Sequence, residues 1–235
     1  MSKIDKVKLQ GMLDLQTSFN IKIDPNWKTA GYAYTDAIWT EAAEAFDHTN
    51  WEWWKKTGAY TDFGQIKMEL VYIWHFVMSE FMLHKEQEGL NYVDVIELID
   101  TEVTTDLADA KTDIEAIRQV FRGIVIASLQ PADPNRIVFI LYAFIKAMYV
   151  LGMDWVELYK LYIGKNTLNG FRQNNGYKQT TKEYKDRWAK VQGKGWEDNQ
   201  FLTLFLSSAD VGAPLEAFQL SITNELTHLW KTATP

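Results

Sequence analysis

Apolar residues recur along this chain at the spacing of helices rather than strands. Between about residues 7 and 21, Leu9, Met12, Leu13 and Phe19 fall on one helical face, which predicts a first helix. No run alternates apolar and polar residues between hairpin-turn signals, so we expect little sheet. The pattern therefore predicts an all-α fold, in the form of a multi-helix bundle.

Capping residues predict where the later helices begin and end. The second helix is expected from near Asp36 to Lys56. The third is expected from Asp62, with Gln65 completing a capping box, to about Glu86. Three more starts are predicted: Asp133-Pro134, before an apolar helix that ends near Gly152; Asp154, with Glu157 three residues later; and Ala213-Pro214.

The segment from Asn174 to Asn199 is the one long stretch that lacks a helical pattern. It is rich in Gly, Lys, Asn and Tyr. In compact proteins, loops of this length are often functional lids. We therefore expect one domain over residues 1–235, with a mobile loop at about 174–199.

Composition excludes several classes of protein. Hydrophobic residues make up 47% of the chain and aromatic residues 14%, which excludes a disordered protein. The net charge of −7 argues against general nucleic-acid binding, because phosphate backbones require a broad basic surface. Since the chain has no cysteine, disulfides, cysteine-zinc sites and thiol nucleophiles are excluded as well.

Neither the N-terminus nor the apolar segments predict a membrane protein. The first ten residues are polar and lack the apolar run of a signal peptide. The most apolar stretch, Ile137 to Leu151, contains Lys146 and is too short for a membrane span, so it predicts a buried core helix. We expect a cytoplasmic protein with no membrane or nucleic-acid partner.

Three glutamates are candidates for metal chemistry. Glu41 and Glu44 are three residues apart in the second predicted helix, so they project from one face. Glu69 lies on the next helix among apolar neighbours, where an acid is costly to bury unless it is paired or binds a metal. Carboxylate oxygens are the ligands that Mg²⁺ prefers, and phosphate oxygens of a substrate can complete its shell.

Two other interpretations apply to the same acids. Glu41 and Glu44 also suit solvated helix acids, with Glu69 paired to a lysine. Inward acids on adjacent helices can also form a di-iron site, but such bundles need two Glu-x-x-His motifs. The sequence contains one, from Glu225 to His228, which places the di-iron interpretation well behind.

A basic, amide-rich segment at residues 162–178 stands out in this acidic chain. Its cations and amides suit a polyphosphate and a sugar, because Arg and Lys neutralise charge while Asn and Tyr bond hydroxyls. A helix C-terminus with capping residues explains the same composition. Phosphoanhydride cleavage requires acidic side chains that bind a metal and cationic side chains that bind phosphate.

In these residues the chain resembles the dimeric all-α dUTPases, within the all-α NTP pyrophosphatase superfamily. The superfamily pattern of Glu-x-x-Glu followed by Glu-x-x-Asp is present here as Glu41-Ala-Ala-Glu44 and Glu69-Leu-Val-Tyr72. More specific similarity lies in these stretches: Leu15-Gln16 with Asn20, Trp51-Glu52-Trp53-Trp54-Lys55, Trp74-His75-Phe76, Gly164-Lys165-Asn166, the run from Phe171 to Lys178, and Glu197-Asp198-Asn199.

The resemblance implies a homodimer that hydrolyses dUTP, and also dUDP, to dUMP with Mg²⁺ as cofactor. Glu41, Glu44 and Glu69 would be the metal ligands, and one glutamate of the first pair would deprotonate the attacking water. The residues assigned to the nucleotide are Gln16 and Asn20 for uracil; Trp53, His75 and Phe76 around the base and sugar; Asn169 and Tyr177 for the deoxyribose; and Lys165, Arg172 and Lys178 for the phosphates.

Structural roles also suit several of these residues. Gln16 and Asn20 are spaced like polar residues at the boundary of an amphipathic helix. Trp53 and Phe76 suit core aromatics, and His75 suits a hydrogen-bonded core histidine.

One position departs from the family pattern. Tyr72 stands where the last acid is expected, and a neutral phenol is a poor Mg²⁺ ligand. Asp47 lies three residues beyond Glu44, but its position on the helix drifts away from Glu41. Three functions therefore stay open: a dUTP pyrophosphatase, a pyrophosphatase for another pyrimidine deoxynucleotide such as dCTP, and a catalytically weakened nucleotide- or protein-binding module.

Overall fold

Helices form all the regular structure in the described part of this chain. The computed structural model describes residues 4–55, 61–85, 91–107, 113–130 and 135–233, and these ranges contain no strand. The all-α prediction is therefore confirmed. Besides one 3-10 turn at Val191–Gly193, the helices are α1 (Lys6–Ile23), α2 (Tyr34–Asp47), α3 (Phe63–Lys85), α4 (Tyr92–Asp106), α5 (Ile114–Ser128), α6 (Arg136–Val150), α7 (Trp155–Asn174), α8 (Thr181–Lys190), α9 (Asp198–Ser208) and α10 (Leu215–Thr232).

Local capping signals predicted several helix ends correctly. The carboxylate of Asp62 accepts a hydrogen bond from the Gln65 amide at 3.1 Å, at the start of α3. The carboxylate of Asp154 accepts one from the Glu157 amide at 2.9 Å, at the start of α7. Pro214 occupies the N-cap of α10, as expected. The predicted start at Asp133-Pro134 lies outside the described residues.

Helix α2 differs from its prediction at both ends. It begins with Ala33 at the N-cap, so Asp36 lies in its first turn rather than capping it. It ends at Asp47, nine residues before the predicted end at Lys56, which lies outside the described residues. The chain turns away at Asn50, whose φ of 53° is left-handed and cannot continue a helix.

An arginine from α5 holds the turn that follows α2. Arg118 donates to the backbone carbonyl of Thr49 at 2.9 Å and to that of Asn50 at 3.3 Å. Its Nε also donates to the Thr49 hydroxyl at 3.0 Å. Thr49 and Asn50 follow His48, the C-cap of α2, so these contacts hold the turn beyond the helix. The turn after α2 is therefore held by a residue far away in the sequence.

The segment at 174–199 is not irregular throughout, which corrects the prediction of one long loop. Helix α8 occupies Thr181–Lys190, and α9 begins at Asp198. Tyr184 and Trp188, one helical turn apart in α8, are 3% and 0% exposed. Burial of these two rings stabilises a helix that the polar composition does not indicate. Mobility of the segment stays a prediction.

The chain divides into two compact units, Met1–Leu158 and Tyr159–Pro235, with the boundary inside α7. In the first unit α3 is central, because α1, α2 and α6 all pack on it. Its Trp74 is fully buried and stacks on Phe144 of α6 with ring centroids 4.8 Å apart. Helix α5 packs on both α2 and α6. This core fixes the relative positions of α1, α2 and α3.

An aromatic cluster forms the core of the second unit. The ring centroid of Trp188 lies 5.5 Å from that of Trp230, 5.6 Å from that of Phe201 and 6.2 Å from that of Phe171. Gly164 of α7 comes so close to Leu206 of α9 that a Cβ would lie 2.5 Å from a leucine methyl carbon. Rings and this close approach together fix α7, α8, α9 and α10.

Among the described residues, no single helix is long and apolar enough to cross a membrane. The bent pair Arg136–Val150 and Trp155–Asn174 passes that test together, by length and composition only.

Candidate functional site

Three glutamate side chains meet where α2 packs along α3. Glu41 and Glu44 project from the same face of α2, and Glu69 projects from α3. One oxygen from each carboxylate lies within 4.8 Å of an oxygen from each of the others. Glu69 is only 6% exposed, Glu41 is half-buried and Glu44 is exposed. The structure thus brings together the three acids that the sequence singled out.

This cluster fits a hard divalent cation. Carboxylate oxygens are the ligands that such ions prefer. Carboxylates this close repel one another, and burial of a charged group has a desolvation cost. The last turn of α2 carries acids, Glu44 and Asp47, and within that described turn there is no basic residue. A bound cation would offset both the repulsion and the burial, so these residues are the ones suited to hold a metal.

Three neighbours define the edges of the cluster. His48 follows α2 with its Nε2 atom 3.7 Å from an oxygen of Glu69. Tyr72 is half-buried on α3, one turn beyond Glu69. Asp47 accepts a hydrogen bond from the Trp51 indole at 3.2 Å and is not a member of the three-acid cluster.

A second group of predicted residues forms a buried polar network between α1 and α3. Gln16, Asn20 and His75 are 3%, 6% and 6% exposed. The Gln16 amide donates to the Asn20 carbonyl oxygen at 2.9 Å and to the Ser79 hydroxyl at 3.2 Å. The Asn20 amide donates to the same hydroxyl at 2.9 Å. These residues are therefore fixed in place by mutual hydrogen bonds.

The network also determines which nitrogen of His75 carries a proton. The Nδ1 atom of His75 lies 2.8 Å from the Gln16 side-chain oxygen. That oxygen is an acceptor, because the amide nitrogen of Gln16 already donates to Asn20 and Ser79. With the Gln16 amide in this orientation, Nδ1 of His75 is the donor to Gln16. Ser79, which sequence reasoning missed, lies one turn after His75 and donates to its carbonyl at 2.9 Å.

The predicted aromatic residues differ in exposure. Phe76 is half-buried on α3. Trp53 is 88% exposed and packs edge-on against Trp54 with ring centroids 5.5 Å apart. Trp51 contacts both Trp54 and Phe46, at centroid distances of 5.2 and 5.5 Å. Trp53 is therefore not a core aromatic, and the segment after α2 presents a cluster of rings at the surface.

An open cavity of about 910 Å³ adjoins the carboxylate cluster. It lies between α2 and α5 and is lined mostly by apolar side chains, including Trp39, Phe46, Trp51 and Ile126. Glu44 lines the same cavity, so the exposed acid of the cluster borders an apolar surface. Local spacing carried little signal for this cavity, because its lining residues come from α2 with the turn after it and from α5, which are far apart in the sequence.

Two of the three predicted cations of the second unit, Lys165 and Arg172, are engaged by amide and acid side chains. Arg172 donates from Nε and Nη2 to the two oxygens of Asp198, each at 2.7 Å. Lys165 is 2% exposed and donates to the side-chain oxygen of Asn199 at 2.8 Å. Lys165 and Arg172 are two turns apart on α7, and Asp198 and Asn199 are adjacent at the start of α9.

The remaining predicted residues of this unit lie in or just after α7. Asn169 and Tyr177 are half-buried, whereas Lys178 is exposed. The Arg172 guanidinium carbon lies 4.9 Å from the centroid of the Tyr177 ring. The Tyr177 ring in turn packs edge-on against Tyr184 at 5.1 Å. The structure therefore brings Arg172 and Tyr177 together. It also pairs Arg172 with Asp198, to which the sequence analysis assigned no role.

Comparison with known proteins assigns a family to this arrangement. The model of one protein family, described as dUTPase, matches residues 8–177. That segment contains the three carboxylates, the amide network and helix α7. A search of curated proteins gave no match.

Proposed function

This chain belongs to the all-α dUTPase family, and we propose that it is a Mg²⁺-dependent enzyme that hydrolyses dUTP to dUMP and pyrophosphate. The proposal includes dUDP as a second substrate, with inorganic phosphate as the other product. The observation that carries it is the cluster of Glu41, Glu44 and Glu69, which lies inside the matched segment with oxygens within 4.8 Å of one another.

The three glutamates hold the metal, and one of the α2 pair acts as the base. When bound, Mg²⁺ supplies positive charge that neutralises phosphate oxygens and makes water more acidic. Glu41 or Glu44 removes a proton from the attacking water. The water oxygen forms a bond to the β-phosphorus. The bond from that phosphorus to the oxygen that bridges it to the α-phosphorus breaks, which releases dUMP and pyrophosphate.

The polar network between α1 and α3 recognises the base in this proposal. Gln16 and Asn20 combine amide hydrogens with acceptor oxygens, which suit the edge of uracil, and the base would replace one of the hydrogen bonds within the network. Their orientation is set by Ser79 and His75 before a ligand arrives, which reduces the entropy lost on binding. His75, Phe76 and Trp53 enclose the base and sugar, and Asn169 and Tyr177 bond the deoxyribose.

The cations of the second unit contact the phosphates in this proposal. Arg172 and Lys178 bond phosphate oxygens, and Lys165 contributes a buried positive charge. Removal of Arg172 or Lys178 is expected to weaken triphosphate binding far more than nucleoside binding. Equal losses for both ligands would instead indicate that these residues serve folding.

A pyrophosphate-release assay tests the function directly. The purified protein is given dUTP, dCTP, dTTP, dATP and dGTP in turn with Mg²⁺, and dUDP is followed by phosphate release. The proposal requires turnover of dUTP with strong preference over the purine nucleotides. Preference for dCTP would support the related pyrimidine enzyme, and calorimetric binding of dUTP without turnover would support a weakened binding module, which the presence of Tyr72 favours.

A further inference from the structure

Two adjacent residues at the start of α9 hold two cations of α7. Asp198 accepts two hydrogen bonds of 2.7 Å from Arg172, and Asn199 accepts one of 2.8 Å from Lys165. Since Lys165 and Arg172 are seven residues apart in a helix, they lie on the same face, two turns from each other. One short stretch of α9 therefore sets the positions of both groups.

The Asp198 carboxylate is built to remain charged while buried. Asp198 is 2% exposed. Burial alone would raise its pKa, but hydrogen bonds from the Arg172 guanidinium and from the Tyr184 hydroxyl hold the pKa below its usual value. The Tyr184 bond to Asp198 is 2.9 Å long. Asp198 therefore stays a fixed negative group against which the guanidinium aligns.

Two groups contact the guanidinium of Arg172. Asp198 engages the edge formed by Nε and Nη2, and the guanidinium carbon lies over the Tyr177 ring, 4.9 Å from its centroid. A guanidinium carries five N–H donors, and the side-on pair with Asp198 engages two of them. The orientation of the guanidinium is therefore set by the protein before a ligand binds.

We propose that Asp198 and Asn199 are positioning residues for the phosphate chain of the nucleotide: Asp198 orients Arg172, and Asn199 orients Lys165. This inference rests on the proposed function, because that function makes a nucleotide polyphosphate the ligand of these cations. Flexible cations lose rotamer entropy when they bind an anion, and prior alignment by Asp198 and Asn199 removes part of that cost. The two residues act through Arg172 and Lys165 and need not touch the substrate.

The test compares ligands with and without phosphates. Calorimetry measures the dissociation constants of inorganic pyrophosphate and of deoxyuridine, and steady-state kinetics give KM and kcat for dUTP. The variants are Asp198→Asn and Asn199→Ala. The matched control is Asp186→Asn, which makes the same charge change at an exposed position of the same unit.

Positioning predicts a selective loss. Asp198→Asn should weaken pyrophosphate binding and raise KM for dUTP by about tenfold, with little change in kcat or in deoxyuridine binding. Asn199→Ala should show the same pattern more weakly, and Asp186→Asn should match the unmodified protein. In an Arg172→Gln background, Asp198→Asn should have no further effect on pyrophosphate binding, because it acts through Arg172.

Other outcomes overturn the proposal. Equal losses for pyrophosphate and deoxyuridine would mean that Asp198 serves only folding. Tighter pyrophosphate binding by Asp198→Asn would mean that Asp198 competes with phosphate for Arg172. If Asp198→Asn fails to fold, Asn199→Ala decides the matter through the Lys165 contact. Failure of the unmodified protein to hydrolyse dUTP would refute the proposed function alone, since pyrophosphate binding is measured without turnover.

Discussion

Tyr72 stands one turn from Glu69, at the position where the family pattern has a second acid on α3. An aspartate there would place a full negative charge beside the cation, whereas a phenol contributes only a dipole at neutral pH. Tyr72→Asp is therefore expected to raise Mg²⁺ affinity and dUTP hydrolysis by at least about tenfold, roughly 1.4 kcal/mol of barrier. Titration of turnover with Mg²⁺, together with calorimetry, measures both effects.

Tyr72→Asn is the control for that substitution, because it matches aspartate in size without its charge. It should leave Mg²⁺ affinity near that of the unmodified protein. If Tyr72→Asp leaves activity unchanged or lowers it, the site has been rebuilt around tyrosine. The family pattern would then not describe how this chain holds its metal.

Glu44 is the exposed member of the three-acid cluster, so its substitution disturbs packing least. Glu44→Gln keeps the shape and removes the charge and the basicity. We expect turnover of dUTP to fall by about a hundredfold or more, because metal and activated water supply much of the rate. Glu102→Gln, at an exposed position of α4, is the matched control. Retained activity in Glu44→Gln would remove Glu44 from the catalytic group.

At the scale of elements, Arg118 is the residue whose loss should be felt most at the end of α2. Its contacts with Thr49 and Asn50 cap the turn that carries His48 toward Glu69. Hydrogen bonds from a charged group contribute about 1.5–3 kcal/mol, and Thr49 is buried, so Arg118→Gln should lower the free energy of unfolding by about that amount. Urea denaturation measures the change.

Arg122 provides the comparison on the same helix. It pairs with Glu115 at 2.6 Å, but both side chains are about half exposed, at 44% and 54%. Exposed ion pairs contribute under about 1 kcal/mol, so Arg122→Gln should cost little. If the two arginine variants lose equal stability, the turn after α2 is held by something other than Arg118.

The elements that the sequence predicted well are those with local causes. Asp62 and Asp154 cap their helices through amides three residues away, so the signal lies within one turn of chain. The end of α2 was missed because the turn that follows it is held by Arg118, which comes from another helix. Helix α8 was missed because burial of Tyr184 and Trp188 outweighs a polar composition, and burial depends on the tertiary fold.

The same distinction applies to the candidate site. The spacing of Glu41 and Glu44 placed them on one helical face. The apolar neighbours of Glu69 in the sequence marked it as a third candidate ligand. The pairing of Arg172 with Asp198 depends on how α7 and α9 approach, which no local spacing encodes. The sequence therefore predicted which charged residues belong to the candidate site, but it did not predict their tertiary partners.

At the scale of the whole molecule, we expect a homodimer. Large rings stay exposed on the first unit, with Trp53 at 88% and Trp54 at 51%, beside an apolar cavity of about 910 Å³. Exposed apolar surface of this kind is typical of association, and obligate dimer interfaces are large and apolar. Sedimentation velocity at micromolar concentration should give a dimer. A single monomer boundary there would refute it.

Alkaline pH should destabilise the molecule through its tyrosines. Burial raises the pKa of Tyr34 to about 12, and a hydrogen bond to Asp106 raises that of Tyr142 to about 12. Burial also raises the pKa of Tyr149 and Tyr184. The unfolded chain loses tyrosyl protons near pH 10, whereas the folded protein keeps them, so the free energy of unfolding falls between about pH 10 and 12. Urea titrations below and within that window measure the loss, and constant stability would contradict these environments.

The acids in the last turn of α2 favour metal binding, but they lower the thermal stability of the metal-free protein. A helix C-terminus carries about half a negative charge, so Glu44 there destabilises the empty protein. Each tenfold rise of Mg²⁺ above its dissociation constant adds about 1.4 kcal/mol to the folded state. The melting temperature should therefore follow Mg²⁺ concentration even without nucleotide. In chelator, Glu44→Gln should melt above the unmodified protein, and a lower melting point would contradict this. A search for heat-tolerant variants in metal-free buffer would then favour inactive proteins.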